Sequence, residues 1–487
     1  MHLCSVYEVK HCMKAPVARI LFLLFTLSLI SQFAAGQEIH VSSKRDSEKT
    51  VWNHSHGGSS FNIEIRGKIE LTDDDKDIKS MSPDGYLEIN KTVFGSKRTL
   101  VVTPQGNALK REYFEGRTSQ PFEPEGRKWM NEILPELVRS TTIGAESRVN
   151  RFLKQGGVNA VLDEIYRLES AYVKAHYASA LMALSIPVKD YAVIVTKVAG
   201  TMDSDYYLAE FLQKNLGKFL TNKEATDAVF AACANMDSDH YKSEVIKEAL
   251  RNNSPSPEAI RSILMAAGKM DSDHYKTEVL STLLNQSNLT DATIAEMINA
   301  TKSLDSDYYR SVVLNRALSK SGLSSSSYQR VLESVKDIDS DHYKTEVINN
   351  LLKNKLSGDQ IQNLVEISSS IGSDHYLTLV FDEILKQDLS DAAFNNLIDR
   401  ASHVESDYYA STILQTALNN RTLNNAKIIS ILNAATNIGS DHYITEVLTD
   451  AAPKVKAGDA ALKDAYRAAA KKIESETYYG RAMKAID

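Results

Sequence analysis

Three cysteines among 487 residues cannot supply a disulfide framework of the kind small secreted domains rely on. Ten prolines and 21 glycines leave no collagen-like or linker-dominated stretch. No P-loop, Gly-x-Ser-x-Gly, Cys-x-x-Cys, dinucleotide fingerprint or His-Glu-x-x-His occurs. Nucleotide, serine-hydrolase, dithiol and zinc-peptidase chemistry therefore have no local signature here. A surplus of positive charge is also missing. Lys and Arg number 56 against 63 Asp and Glu, a formal net charge of -7, which argues against a nucleic acid or other polyanion as partner.

One long apolar run exists, Ile20 to Ile30, preceded by Lys14 and Arg19 and followed by Phe33-Ala34-Ala35-Gly36-Gln37. A short apolar run between a basic start and small residues reads as a secretory signal peptide spanning 1–36, with Met13 a possible true start. The run is too short for an easy membrane span. Residues 1–36 carry Lys10, Lys14 and Arg19 against Glu8, or +2, so removing them takes the chain from -7 to about -9. Cys4 and Cys12 precede the cut, which leaves Cys233 alone. The expectation is an exported protein, periplasmic or secreted, with no transmembrane anchor in the mature chain.

Residues 37–60 are polar and read as a flexible lead. From Phe61 the apolar period becomes two: Phe61, Ile63, Ile65, Ile69 and Leu71 alternate with polar residues, a half-buried strand or strand pair bent at Gly67. Ser82-Pro83-Asp84-Gly85 is a turn signal. Further strands fit 77–81, 86–91, 98–103 and 108–114, giving a small antiparallel meander. A helix follows near 124–140, and Pro135 should bend or break it. The β-meander and its helix together occupy 61–144.

The main signal is repetition. Ser-Asp-(His/Tyr)-Tyr begins at Ser204, Ser238, Ser272, Ser306, Ser340, Ser373, Ser406 and Ser440, with a degenerate copy at Ser475. A period near 34 residues means stacked units. With the motif Ser as position zero, Tyr occupies position three throughout: Tyr207, Tyr241, Tyr275, Tyr309, Tyr343, Tyr376, Tyr409 and Tyr443. Positions seven, eight and twelve are apolar, and offsets 3, 7, 8 and 12 trace one helical face. The Tyr column is therefore expected in the core, and the motif Ser as an N-cap with its following Asp near the positive helix end.

A second helix in each unit has its own start signals, Ser256-Pro257-Glu258, Thr290-Asp291 and Ser390-Asp391. It carries an apolar column (Val229, Ile263, Met297, Val331, Leu364, Leu397, Ile431) and a mostly small one that includes Cys233, read as a buried structural thiol. The fold class expected is mainly α: a right-handed α-solenoid of two-helix repeats with a small N-terminal antiparallel β domain. Degenerate linking repeats broken at Gly156-Gly157 span 145–201, eight two-helix repeats span 202–472, and 473–487 is a terminal half-repeat cap. Tetratricopeptide landmarks are absent, so the unit is HEAT-like. Eight to ten such units at ~8–10 Å per helix would extend on the order of 80–100 Å.

This repeat pattern resembles extracytoplasmic bacterial HEAT-like repeat proteins. The segment Phe61 to Arg139, with Asp84-Gly85-Tyr86-Leu87-Glu88-Ile89 and Phe122-Glu123-Pro124-Glu125-Gly126-Arg127, is similar to the extracytoplasmic part of β-lactam-sensing membrane metallopeptidases. The resemblance implies a sensory or binding role. It does not carry over the peptidase, whose His-Glu-x-x-His is missing.

One stripe bears chemistry. Position two is His240, His274, His342, His375 or His442 in five copies and Tyr in three; position six is Glu in five. His240 with Glu244, His274 with Glu278, His342 with Glu346, and His442 with Glu446 stand four residues apart on one helix face. Such pairs can brace neighbouring units, hold a metal ion, or face a partner. Copies with Tyr at position two continue the repeat unchanged, which favours bracing. The sequence thus points to a non-enzymatic scaffold without cofactors that binds a protein or cell-envelope partner. Its rivals are a sensory module of an envelope signalling system and a metal-binding or hydrolytic protein using the His/Glu stripe.

Overall fold

The computed structural model describes residues 49–56, 59–251, 255–287 and 289–487. The signal-peptide reading lies outside them. The described residues up to Leu184 form one compact unit and those of Ser185–Asp487 a second. The division falls inside the stretch 145–201 that the sequence assigns to linking repeats. Among the described residues, no helix is long and apolar enough to cross a membrane.

In the first unit the strands are β1 (Lys49–His56), β2 (Ser59–Arg66), β3 (Ile69–Leu71), β4 (Ile78–Met81), β5 (Tyr86–Val93), β6 (Ser96–Gln105), β7 (Ala108–Glu115) and β8 (Thr118–Gln120). Six form an antiparallel sheet in the order β1-β2-β5-β6-β7-β8, while β3 and β4 pair as a separate hairpin. The meander is thus interrupted: the chain leaves at Gly67, whose φ of +65° suits glycine, and returns to pair β2 with β5. Part of the expected flexible lead is strand β1. Its signal is hidden because, among its described side chains, Trp52 alone is buried, opposite Ile63 and 8% exposed. Alternation puts Phe61, Ile63, Ile65, Leu87, Ile89, Leu100 and Val102 on one buried face. Helix Arg127–Ser140 covers that core with Trp129, Met130, Ile133, Leu134, Leu137 and Val138. This helix runs unbroken through Pro135, contrary to expectation. The bond that proline forfeits is to the carbonyl of half-exposed Asn131, and the flanking residues Leu134, Leu137 and Val138 are fully buried.

A buried ionic node ties this unit together. Arg148, 2% exposed, binds Asp75 at 3.0 Å and Glu164 at 2.8 Å and donates to the Tyr177 hydroxyl. Arg151 reaches Asp75 at 2.8 Å. The node joins the β3–β4 turn to helices Ala145–Arg167 and Ala171–Ala183. The first of these helices is non-helical at Gly156 and Gly157, where the sequence places a break.

The second unit is a mainly α tandem repeat. Motif helices such as Asp273–Leu284, Asp307–Leu318 and Asp341–Leu351 pack on one another as one layer. The intervening helices, such as Pro257–Gly268, Asp291–Ala300 and Ser325–Lys336, stack as the other. Between the layers, positions seven and eight are at most 1% exposed in every copy, from Phe211 and Leu212 to Val447 and Leu448. The second-helix column Val229, Ile263, Met297, Val331, Leu364, Leu397 and Ile431 is fully buried. Each such side chain gains about 1.5–3 kcal/mol from leaving water, so the repeat supplies its own core. In helix Glu476–Ile486 the Ala482 carbonyl accepts the buried Tyr466 hydroxyl at 2.8 Å, which ties it to helix Ala460–Ala470.

Candidate functional site

The motif edge of the repeats is built from three columns. Asp at position one forms the first. Asp205 accepts the Ser238 N–H at 2.6 Å, Asp239 that of Ser272 at 2.8 Å, and Asp273 that of Ser306 at 2.7 Å. Asp307, Asp341, Asp374 and Asp441 repeat the bond to Ser340, Ser373, Ser406 and Ser475 at 2.8–2.9 Å. Asp407 takes the Gly439 N–H instead, at 2.9 Å. Each carboxylate thus clasps the backbone where the next unit's motif helix begins. The motif Ser residues flank the helices in extended conformation as expected, but, wherever their cap geometry is described, they make no side-chain capping bond. The preceding unit's Asp binds the Ser N–H itself, a group different from the first-turn N–H groups that a capping hydroxyl would serve. The intervening helices do cap themselves: Asn222, Ser256, Thr290, Ser324, Ser357, Ser390, Asn424 and Asp459 each accept from the residue three positions on.

Behind the clasp lies a column that sequence reasoning missed. Lys242, Lys276, Arg310 and Lys344 at position four are 2–8% exposed. Lys242 pairs with Asp239 at 3.1 Å; Lys276 donates to the Ser303 carbonyl at 2.8 Å and Lys344 to the Ser370 hydroxyl at 3.0 Å. Arg310 donates to the carbonyls of Leu304 and Asp337. Burial pushes the Asp239 carboxyl upward, but the Ser272 N–H and Lys242 outweigh it and hold the group below the usual carboxylate range. The signal was present as a basic residue at a fixed offset, although Leu208, Leu377, Ala410 and Ile444 dilute it.

The third column is aromatic. Each position-two ring touches the Tyr of its own unit and the Tyr of the next. Tyr206 lies 4.9 Å from Tyr207 and 5.8 Å from Tyr241, centroid to centroid. His240 meets Tyr241 and Tyr275, His274 meets Tyr275 and Tyr309, and Tyr308 meets Tyr309 and Tyr343. The zigzag continues through His342, Tyr376, His375, Tyr409, Tyr408, Tyr443 and His442 to Tyr478, every step 4.9–6.0 Å. Tilted and edge-on pairs at such distances are favourable. The Tyr column is therefore not core as expected. It is half-buried throughout, because position three faces the preceding unit's position-two ring and not the space between layers. Position two is more open: Tyr206, Tyr308 and Tyr408 are 51%, 49% and 52% exposed.

The His/Glu pairs lie beside this ladder. His274 and Glu278 are 3.9 Å apart and His442 and Glu446 3.5 Å. Glu244 is held below its usual range chiefly by Lys247 at 2.7 Å, with His240 adding to it. Links between units run through other partners: Lys247 to Glu278 at 3.0 Å and Asn315 to Glu346 at 3.0 Å. No group of three or more His, Cys, Asp and Glu capable of holding a metal occurs among the described residues. Each pair brings two ligands at most. Cys233 is fully buried, and burial pushes its thiol up to about 12, too high for a nucleophile at neutral pH.

No protein-family model matches the chain, nor does any curated protein. Among solved structures it is similar to one described as a computational design of self-assembling cyclic protein homooligomers (14% identity, 67% of this chain and 96% of that one, TM-score 0.12). Another is a circular tandem repeat protein with novel repeat topology (13% identity, 74% and 78%, TM-score 0.13). The repeat architecture stands on the chain's own helices.

Proposed function

We propose that the chain is an exported, non-enzymatic scaffold that binds a protein or cell-envelope partner along the motif edge of its repeats. The supporting observation is the aromatic ladder, half-exposed and unbroken from Tyr207 to Tyr478, with carboxylates at position six. A fold needs aromatic contacts between units but does not need Tyr206, Tyr308 and Tyr408 half in water, and exposed aromatic side chains are what recognition surfaces use. Placement outside the cytoplasm follows from the signal-peptide pattern and from the resemblance of residues 61–139 to the extracytoplasmic part of β-lactam-sensing membrane metallopeptidases. A sensory role in an envelope signalling system is the more specific version of the same proposal.

The test is capture from envelope extract on the immobilised chain, compared with the triple variant His274→Ala, Tyr308→Ala, His342→Ala. The variant should lose the captured partner while keeping native helical content, with a melting temperature lowered only by the lost ring contacts. Equal capture by both proteins would sink the assignment of this edge.

A further inference from the structure

The β5–β6 hairpin ends in Phe94-Gly95, with Val93 paired to Ser96 across a two-residue turn. Both turn residues have positive φ, 44° for Phe94 and 85° for Gly95. A turn of this type selects Asn or Gly at its first position, because a bulky side chain is sterically disfavoured there. Phe94 is nevertheless 86% exposed, and Val93 beside it 40%. The side chain therefore serves neither the turn nor the core. Around it the chain's acidic balance is locally reversed. Ser96, Lys97 and Arg98 are exposed, and the Gly116 N–H bonds the Lys97 carbonyl at 2.8 Å, which brings exposed Arg117 alongside. Glu115, opposite Arg98 in register, and Glu132, which lines one hollow with Phe94 and Arg98, are the exposed acids nearby, while Glu136 in that hollow is taken by Lys91 at 2.6 Å; three exposed cations thus face two exposed acids.

We propose that this hairpin tip is a contact for an anionic lipid surface, Phe94 entering the interfacial zone while Lys97, Arg98 and Arg117 meet phosphate headgroups. A wedge of two apolar side chains is too small for a stable protein interface, which buries over a thousand square ångströms. It suits a fluid interface that rearranges around it, with cations supplying the long-range attraction. The net charge of -7 makes the requirement specific, since the rest of the chain offers such a surface no general attraction.

Cosedimentation of the full chain with vesicles decides it, using phosphatidylglycerol mixed with phosphatidylcholine against phosphatidylcholine alone. The chain should sediment with the anionic vesicles and be released by salt. Phe94→Asn should weaken partitioning about tenfold or more, the loss of one buried aromatic side chain. Its melting temperature should hold or rise, because Asn favours the turn. Lys97→Ala with Arg98→Ala should weaken binding about fivefold for each charge removed. A wild type that stays in solution, that binds phosphatidylcholine equally well, or that binds no better than Phe94→Asn would overturn the proposal.

Discussion

In the first unit the charges that matter for folding gather at one buried point. Arg148 answers Asp75 and Glu164 there, and the β3–β4 turn and two helices depend on it. In the second unit the equivalent task is divided, one Asp clasp and one ring contact across each junction. A node buried in this way is strong only while every member is present, since a single deletion strands its partners without water. A divided system loses one junction at a time. The difference also separates duties, because the repeat edge can leave half of each aromatic ring exposed without risking the fold.

The largest expected effect follows from the node. Arg148→Met keeps most of the side-chain volume but leaves Asp75 and Glu164 buried, the latter 2% exposed. A cost of about 3–5 kcal/mol is expected. Hydrogen exchange should accelerate across residues 59–184 together. Protection lost only near residue 148 would show that the node is not shared as described.

A smaller effect is expected at a single clasp. Asp239→Asn retains an acceptor but gives up the charge that Lys242 pairs with, at a cost of about 1–3 kcal/mol at neutral pH. Asp239 has its folded pKa lowered, so its contribution is present above the unfolded value and lost as pH falls through the folded one. Variant and wild type should therefore begin to converge as pH falls below the ordinary Asp range and meet once the native carboxylate protonates, lower still. A gap that stays constant into acid would mean the clasp does not depend on charge.

Much of this was legible in advance, and the failures share a cause. The period near 34, the buried columns at positions seven, eight and twelve, and the self-capping of Ser256, Thr290 and Ser390 are local patterns, and each appears in the structure. The clasp was not legible because Asp after Ser at a helix start is explained well enough by the helix dipole; its true acceptor role lies 32–34 residues away. The Tyr column was misplaced because helical periodicity shows which face a residue is on, and not how near the edge of the layer that face ends. Strand β1 was missed because one Trp cannot establish a period. Phe94 fell between the expected strands 86–91 and 98–103, and nothing in Phe-Gly announced the two-residue turn that its positive φ reveals.

Tyr309→Ala sharpens the contrast at the next level down. Had Tyr309 been core, about 3–5 kcal/mol would be lost. Half-buried, with ring contacts to His274 and Tyr308 at 6.0 and 5.0 Å, it should cost about 1–2 kcal/mol. Denaturant melting gives the magnitude, and hydrogen exchange should speed up only between about residues 272 and 340. A loss above about 3 kcal/mol would restore the core reading.

The smallest effect belongs to the His/Glu stripe, and there the two ways of organising charge differ most. His274 and Glu278 are 3.9 Å apart, with side chains 54% and 36% exposed, so water screens the pair almost fully. Exposed pairs of this kind are worth about 0.2–1 kcal/mol. Removing both also breaks the Lys247–Glu278 link at 3.0 Å, yet Lys247 keeps Glu244 at 2.7 Å. His274→Ala with Glu278→Ala should therefore cost no more than about 1 kcal/mol, well below Asp239→Asn, although it deletes two side chains where the other changes one. Bound metal would reverse this ranking, because a ligand held only by the folded state adds its binding free energy to stability. Thermal melting with and without chelator separates the cases. Matching curves are expected for wild type and double variant, whereas a chelator-induced drop of about 10 °C or more in the wild type alone would make the stripe a metal site.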